Sequence, residues 1–302
     1  MRDPAAGLFE IVPNISEGRD PAIVDACVDA MRAEGAEVVH RTSDRVHHRS
    51  VITAVGRPSQ VVAAAVALAR VARERIDLRV HHGVHPRIGA LDVLPFVPLA
   101  DATLDDAVTL AHRAAGRIWC DLAIPSFLYG AAASAPHRTQ LAEIRRGEFE
   151  GLAARHALDA AWSFDYGDAA HASAGAIAIG ARPFLVAFNV ELACGDVRIA
   201  QRIARRLRAS GGGLRTLKCL GLQVAPDRVQ VSCNLTDVDA VPLYRLTELV
   251  RRAAARDGVA VARTELIGLA PQRVLERTAR AYAAAGVDGP AGGHRRHSAE
   301  RG

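Results

Sequence analysis

The chain has 302 residues, 50% of them hydrophobic and 24% charged, which is ordinary for a globular protein and enough for two modest cores. No apolar run approaches the roughly 18 residues of a membrane span, and "MRDPAAGLFEIVPN" lacks a secretory pattern, so no membrane partner and a cytoplasmic location are expected. The net charge of +5 is spread as arginines along helix-like segments with only 4% aromatic residues, which argues against a nucleic-acid partner and suits a small polyanionic ligand.

In chain order, "LFEIVP" (8–13) reads as a strand, and residues 20–35 as a helix with Asp20 as its cap and Pro21 in its first turn. "AEVVH" (36–40) and "RSVITAVG" (49–56) read as strands, the second in near alternation. Residues 58–76 form an amphipathic helix pattern, followed by the apolar strand "LDVLPFVP" (91–98), which completes the split βαβ order βαββαβ. A helix near 103–118 and a strand at "SFLYG" (126–130) extend this unit. From about residue 176 the plan recurs. After an extra strand "AIAIG" (176–180) come a strand at 184–192, a helix at 196–213, strands at 217–224 and 229–235, a helix at 241–258, a strand at 259–266 and a last helix at 270–286. The fold class expected is therefore α/β (α+β), with two ferredoxin-like βαββαβ subdomains, 1–175 and 176–286, flanking a central cleft, and a disordered tail at 287–302.

Two features point to chemistry. Lysine occurs only at Lys218, and asparagine only at Asn14, Asn189 and Asn234, in a chain that otherwise favours arginine and alanine; survivors of so strong a bias mark places where a compact ammonium or a small amide is needed. The stretch "HHGVHPRIGALD" (81–92) places His81, His82 and His85 around a glycine and ahead of Pro86 and Arg87. His81 and His85 have the spacing of a zinc-binding helix, but Gly83 and Pro86 make the segment a loop, and neither a nearby cysteine nor a third ligand is evident, so no metal is expected. The five cysteines are scattered, without a C-x-x-C pair. A histidine pinned by a proline ahead of a buried strand suits general acid–base work, and Arg87 beside it suits a carboxylate. The residues alone leave open three merely polar surface histidines.

The chain resembles the formiminotransferase domain of the glutamate formimidoyltransferase family, the domain that animals fuse to a cyclodeaminase. The resemblance runs from about residue 9 to about 280. It rests on "EIVPNISEGRD" (10–20), "HRSVITAVG" (48–56), "HHGVHPRIGALDVLPFVP" (81–98), "IRRGEFEGL" (144–152), "AGAIAIGARPFLVAFNVEL" (174–192), "LKCLGL" (217–222), "VQVSCNLTD" (229–237) and "ELIGLAP" (265–271). The resemblance implies transfer of a formimino group from N-formimino-L-glutamate to N5 of tetrahydrofolate, in a homodimer whose two subdomains hold the folate in a groove. It implies His85 of the H-P-R triplet as the catalytic residue. It also places folate contacts on Asp165, Tyr166, Gly167, Asp168, His171, Ala172, Ser173, Ala174 and Gly175. Substrate contacts are expected from Asn14, Arg49, Arg87, Arg182, Asn189 and Lys218, because both substrates carry carboxylates.

The chain departs from the family pattern near this site. His48 replaces an asparagine, only Asp44 remains of the upstream acidic residues, "FDYGDAAHASAGA" (164–176) lacks the family's prolines, and Glu191 stands where asparagine is usual. An added carboxylate would repel an acidic substrate or attract an amine. Two further readings follow: one-carbon transfer involving another amine, such as glycine or a specialised metabolite, and a non-catalytic folate-binding protein.

Overall fold

A computed structural model of the chain describes residues 7–83 and 85–284; the tail at 287–302 lies outside them. The backbone divides into two compact units, up to Phe184 and from Leu185.

In the first unit, β1 (Phe9–Ile11) and β2 (Asn14–Ile15) are two pieces of one strand: both pair antiparallel with the same two neighbours, and Pro13, which has no N–H to donate, lies in the gap. α1 (Pro21–Ala33) follows, capped by the Asp20 carboxylate, which accepts from the Ala22 N–H at 2.9 Å. Next come β3 (Glu37–Asp44), β4 (Arg49–Gly56), α2 (Pro58–Arg75) and β5 (Leu91–Pro98). Their lateral order, β3-β4-β1/β2-β5, is antiparallel throughout and is the ferredoxin-like arrangement expected. α3 (Leu104–Leu122) starts at a reciprocal cap between Thr103 and Asp106, and leads to β6 (Ser126–Gly130).

Two short helices, α4 (Leu141–Ile144) and α5 (Glu148–Leu158), then precede β7 (Ile177–Ala181), which lies parallel between β5 and β6. The strand set outside the repeat in the sequence thus belongs to the first sheet. Its unbroken apolar run is what a strand covered on both faces requires, and such a run carries no signal of which sheet it joins. Helices α1, α2 and α3 cover one face through Met31, Val61, Leu68, Leu110 and Ile118. Ile144 and Leu152, from α4 and α5, pack on the other face against Val93, Phe127 and Ala178.

The second unit contains β8 (Val186–Leu192), α6 (Val197–Leu207), β9 (Leu217–Ala225), β10 (Arg228–Leu235), α7 (Leu243–Ala255), β11 (Val261–Ile267) and α8 (Gln272–Ala284). Its strand order, β11-β8-β10-β9, again gives the ferredoxin-like sheet. Alternation puts Val186, Val190 and Leu192 of β8 in the core and Asn189 and Glu191 on the opposite face.

The loop before β5 is tied to the segment before β7. Ala90 N–H donates to the Ala174 carbonyl at 3.0 Å, Ala176 N–H donates to the Ile88 carbonyl at 3.0 Å, and Gly89 and Gly175 face each other as a bridge. Gly175 has φ +68°, and a Cβ there would strike the Ile88 carbonyl. Gly175→Ala is therefore expected to destabilise the protein by about 1–3 kcal/mol. Gly151→Ala, in the open interior of α5, should instead stabilise by about 0.5–1 kcal/mol. Urea unfolding of the two variants measures both.

Candidate active site

Residues 81–83 lie against the turn between β3 and β4. His81 is buried, its Nδ1 accepting from Arg87 Nε at 3.3 Å, which leaves Nε2–H to donate to the His48 carbonyl at 3.1 Å. The His48 ring stacks on His81 with centroids 4.1 Å apart, and its Nδ1 and Nε2 face the His82 carbonyl and Glu17 Oε1, each at 3.1 Å. His48 has φ +51°, a left-handed conformation in which histidine, like asparagine and aspartate, is enriched.

His85 stands at the tip of this loop. Arg49 Nη1 donates to its Nε2 at 2.6 Å, so the ring proton of the neutral form sits on Nδ1. Burial, with Arg49, Arg145 and His47 beside it, pushes the imidazole down to about 3, against a weaker opposing hydrogen bond to the Pro86 backbone. His85 is thus a neutral base at physiological pH. Arg145, from the turn after α4, is held by Asp92 through Nε at 3.0 Å and through a closer Nη2 contact. Asp92 is 1% exposed and also accepts the Ile88 N–H at 2.8 Å. His47 meets His85 edge-on, with centroids 6.3 Å apart, and its Nδ1 bonds Asp44 Oδ2 at 2.7 Å. Burial works against the Asp44 charge, but hydrogen bonds from His47 and Val46 hold its carboxyl below the usual range.

The remaining expected residues take distinct places. Arg87 is buried, and its N–H groups meet Glu150 at 2.7 and 2.8 Å, Glu148 at 2.9 Å, and His81. It meets carboxylates, as its fork geometry foretold, but carboxylates of α5. Arg182 lies beside Glu10 and Tyr129, and burial pushes both of these groups up in pKa while Arg182 offsets part of the shift. Asn14 Nδ2 donates to the Val12 carbonyl at 2.9 Å.

The stretch 165–175 falls into two parts. Asp165 accepts from Arg138 Nη1 at 2.8 Å and from the Leu128 N–H at 2.7 Å, which makes it a half-buried fastening for β6. Tyr166 bonds His112 at 2.9 Å, Gly167 turns at φ +98° against Pro125, and the Asp168 carbonyl bonds His156 at 2.9 Å. His171 and Gly175 exchange backbone hydrogen bonds at 2.9 Å, and His171 Nδ1 accepts from the N–H groups of Ser173 and Ala174. This side-chain brace stiffens a turn that lacks the family's proline. Ala172 is exposed at its apex, and the Ser173 carbonyl accepts from Leu78 N–H at 2.9 Å. Of the two parts, it is 171–175 that adjoins the His85 loop.

Asn189 and Lys218 belong to the second unit. Asn189 Nδ2 donates to Glu265 at 3.4 Å, and Lys218 lies opposite Asn234 in the β9–β10 register. Glu191, the unusual carboxylate, is answered by Arg263 at 2.6 Å and Arg228 at 3.7 Å. Among the described residues, no three His, Cys, Asp or Glu side chains converge as a metal site, and no helix is long and apolar enough to cross a membrane.

Comparison with known proteins accounts for both units. The formiminotransferase domain, N-terminal subdomain, matches residues 8–182, and the formiminotransferase domain matches residues 187–286. The chain belongs to the formiminotransferase family. It is 41% identical to the glutamate formimidoyltransferase of Streptococcus pyogenes serotype M1, over 92% of this chain and 93% of that one. With the glutamate formimidoyltransferase of Thermoplasma acidophilum it shares 41% identity, over 91% and 92% of the two chains. With the formimidoyltransferase-cyclodeaminase of Rattus norvegicus it shares 37%, over 91% of this chain and 52% of that protein.

In this formiminotransferase, the residues that sequence reasoning passed over around His85 are His47, Asp92 and Arg145. Arg145 lay within "IRRGEFEGL", a motif that carried the resemblance, yet no spacing rule connects it to a histidine sixty residues earlier. The depressed His85 has a measurable consequence. The unfolded chain binds a proton there near pH 6.5, whereas the folded chain resists it down to about 3. Stability should therefore fall as pH drops through that window. His85→Gln should flatten part of the fall, as read from urea-unfolding midpoints across the same range.

Proposed function

We propose that this formiminotransferase transfers the formimino group of N-formimino-L-glutamate to N5 of tetrahydrofolate, as in histidine degradation, with His85 as its acid–base group. The observation that carries the reading is near-full-length similarity to glutamate formimidoyltransferases, joined to a neutral imidazole held among cations. Attack by N5 requires loss of one proton, and departure of the glutamate nitrogen requires gain of one. His85 can accept the first and return it for the second. Its loop is fixed by the bridges to 174–176, so the ring is already placed when the substrates arrive, and much of the rate comes from holding them in register.

The turn at 171–175 is the part of the expected folate stretch that we assign to folate contact, because it adjoins the His85 loop. Asp165 and Arg138 act by fixing that stretch to β6. Arg49 and Arg182, on the first unit, and Asn189 and Lys218, on the second, are assigned to carboxylate and amide contacts with the substrates. A cytoplasmic homodimer completes the reading. The ion pairs of Glu191 support an acidic donor over an amine, since that carboxylate is already neutralised.

The test is a turnover assay of the purified protein with both substrates, following 5-formimino-tetrahydrofolate by mass spectrometry. His85→Ala should lower turnover by about 10²–10⁴-fold while tetrahydrofolate still binds by calorimetry. Near-normal turnover in that variant would overturn the role of His85, and absence of product from the native protein would overturn the substrate assignment.

A further inference from the structure

Arg49 occupies the lone pair that catalysis needs. Its Nη1 donates to His85 Nε2 at 2.6 Å, and with the ring proton on Nδ1 that nitrogen is the acceptor of the neutral imidazole. Beside it, Arg145 shares the buried carboxylate of Asp92, whose other oxygen is taken by the Ile88 N–H. Burial and the neighbouring Arg145 both work against the charge on Arg49, with Asp92 and Asp44 as the offsetting carboxylates. Asp44 is itself bonded to the N–H groups of Val46 and His47 and to the His47 ring. The buried carboxylate is therefore bonded to Arg145 and reaches Arg49 only through its field. The side-chain hydrogen bond of Arg49 goes to an uncharged ring, where an anion would serve it better.

We propose that Arg49 and Arg145 form the binding site for a carboxylate of the amino-acid donor, and that Arg49, drawn onto that carboxylate, releases His85 Nε2 only in the loaded enzyme. The proposal rests on the reading of the chain as a formimidoyltransferase. Two carboxylate sources exist, the donor and the glutamyl tail of folate, and connectivity separates them. In N-formimino-L-glutamate the α-carboxylate is three bonds from the reacting carbon, whereas the folate tail is separated from N5 by an aromatic spacer. A guanidinium in contact with the acid–base group is therefore placed for the donor. An arriving carboxylate also offsets the charge of Arg49 and Arg145, so His85 becomes able to hold the proton it takes from N5 until the departing nitrogen receives it. The charged and titratable groups around the ring are Arg49 from β4, Arg145 from the turn after α4 and His47 from the β3–β4 turn. Asp92 lies behind Arg145, and Asp44 behind His47.

The experiment is an NMR titration of the His85 ring in the full-length protein, with and without N-acetyl-L-glutamate, an inert analogue of the donor. Saturating analogue should raise the His85 midpoint by about one to three units. In Arg49→Gln the midpoint should start higher, move little on adding analogue, and be accompanied by at least about tenfold weaker analogue binding by calorimetry. Arg49→Lys retains the positive charge without the planar fork; should the glutamine variant not fold, it is expected to show the same weakening. Analogue that fails to bind, or binds without moving His85, overturns the proposal. So does a midpoint raised by folate but not by pteroate, which would give the site to the folate tail. Lack of transfer by the native protein despite a normal His85 response would count against the functional reading alone.

Discussion

The backbone at Gly89 and Gly175 passes so closely that neither position has room for a side chain, and the placement of His85 depends on this contact. Hydrogen bonds on either side of it, between Ala90 and Ala174 and between Ile88 and Ala176, join the loop that carries the histidine to the strand that lies between β5 and β6. A loop held only by its own ends would let the imidazole sample many positions. Here the parallel strand β7, buried along its whole length, acts as its anchor. Asp92 adds a second hold, because one carboxylate fixes both the Ile88 N–H inside the loop and the Arg145 guanidinium outside it.

Charge is distributed around this anchor in layers. Arg87 is neutralised by Glu148 and Glu150, and Arg138 by Asp165. These pairs brace the segments that flank the site. Arg145 is half of such a pair, while Arg49 points at the imidazole itself. Arginines of identical chemistry thus take different places according to which carboxylates of the chain reach them: Arg87 and Arg138 are braced by theirs, and Arg49 bonds a neutral ring. The neutral state of His85 follows, since burial and adjacent guanidinium groups both disfavour a second proton.

Much of the architecture was legible in the chain. Alternation in "RSVITAVG" and "VQVSCNL", the Asp20-Pro21 start of α1 and the long apolar face of α2 are local signals, and each produced the element expected. The two βαββαβ orders followed from counting those elements. Less legible were α4 and α5, which are short, lie between stronger signals and owe their stability to Ile144 and Leu152 packing on the sheet. In the site, Gly83 and Pro86 marked a loop, and the described residues there are neither helix nor strand. The partners of Arg87 were invisible, since Glu148 and Glu150 approach it only after α5 has docked.

The sequence by itself determined the elements, their order in two repeated units, and the loop that carries the histidine proposed as the acid–base group. All of these rest on patterns within a few residues or on motifs carried whole. Tertiary structure alone decided which sheet received the strand at 177–181, because an apolar run satisfies any doubly covered position. It also decided which arginines found carboxylates within the chain and which was left facing His85. That outcome depends on distances between segments far apart in sequence, and a guanidinium carries the same charge wherever the fold places it.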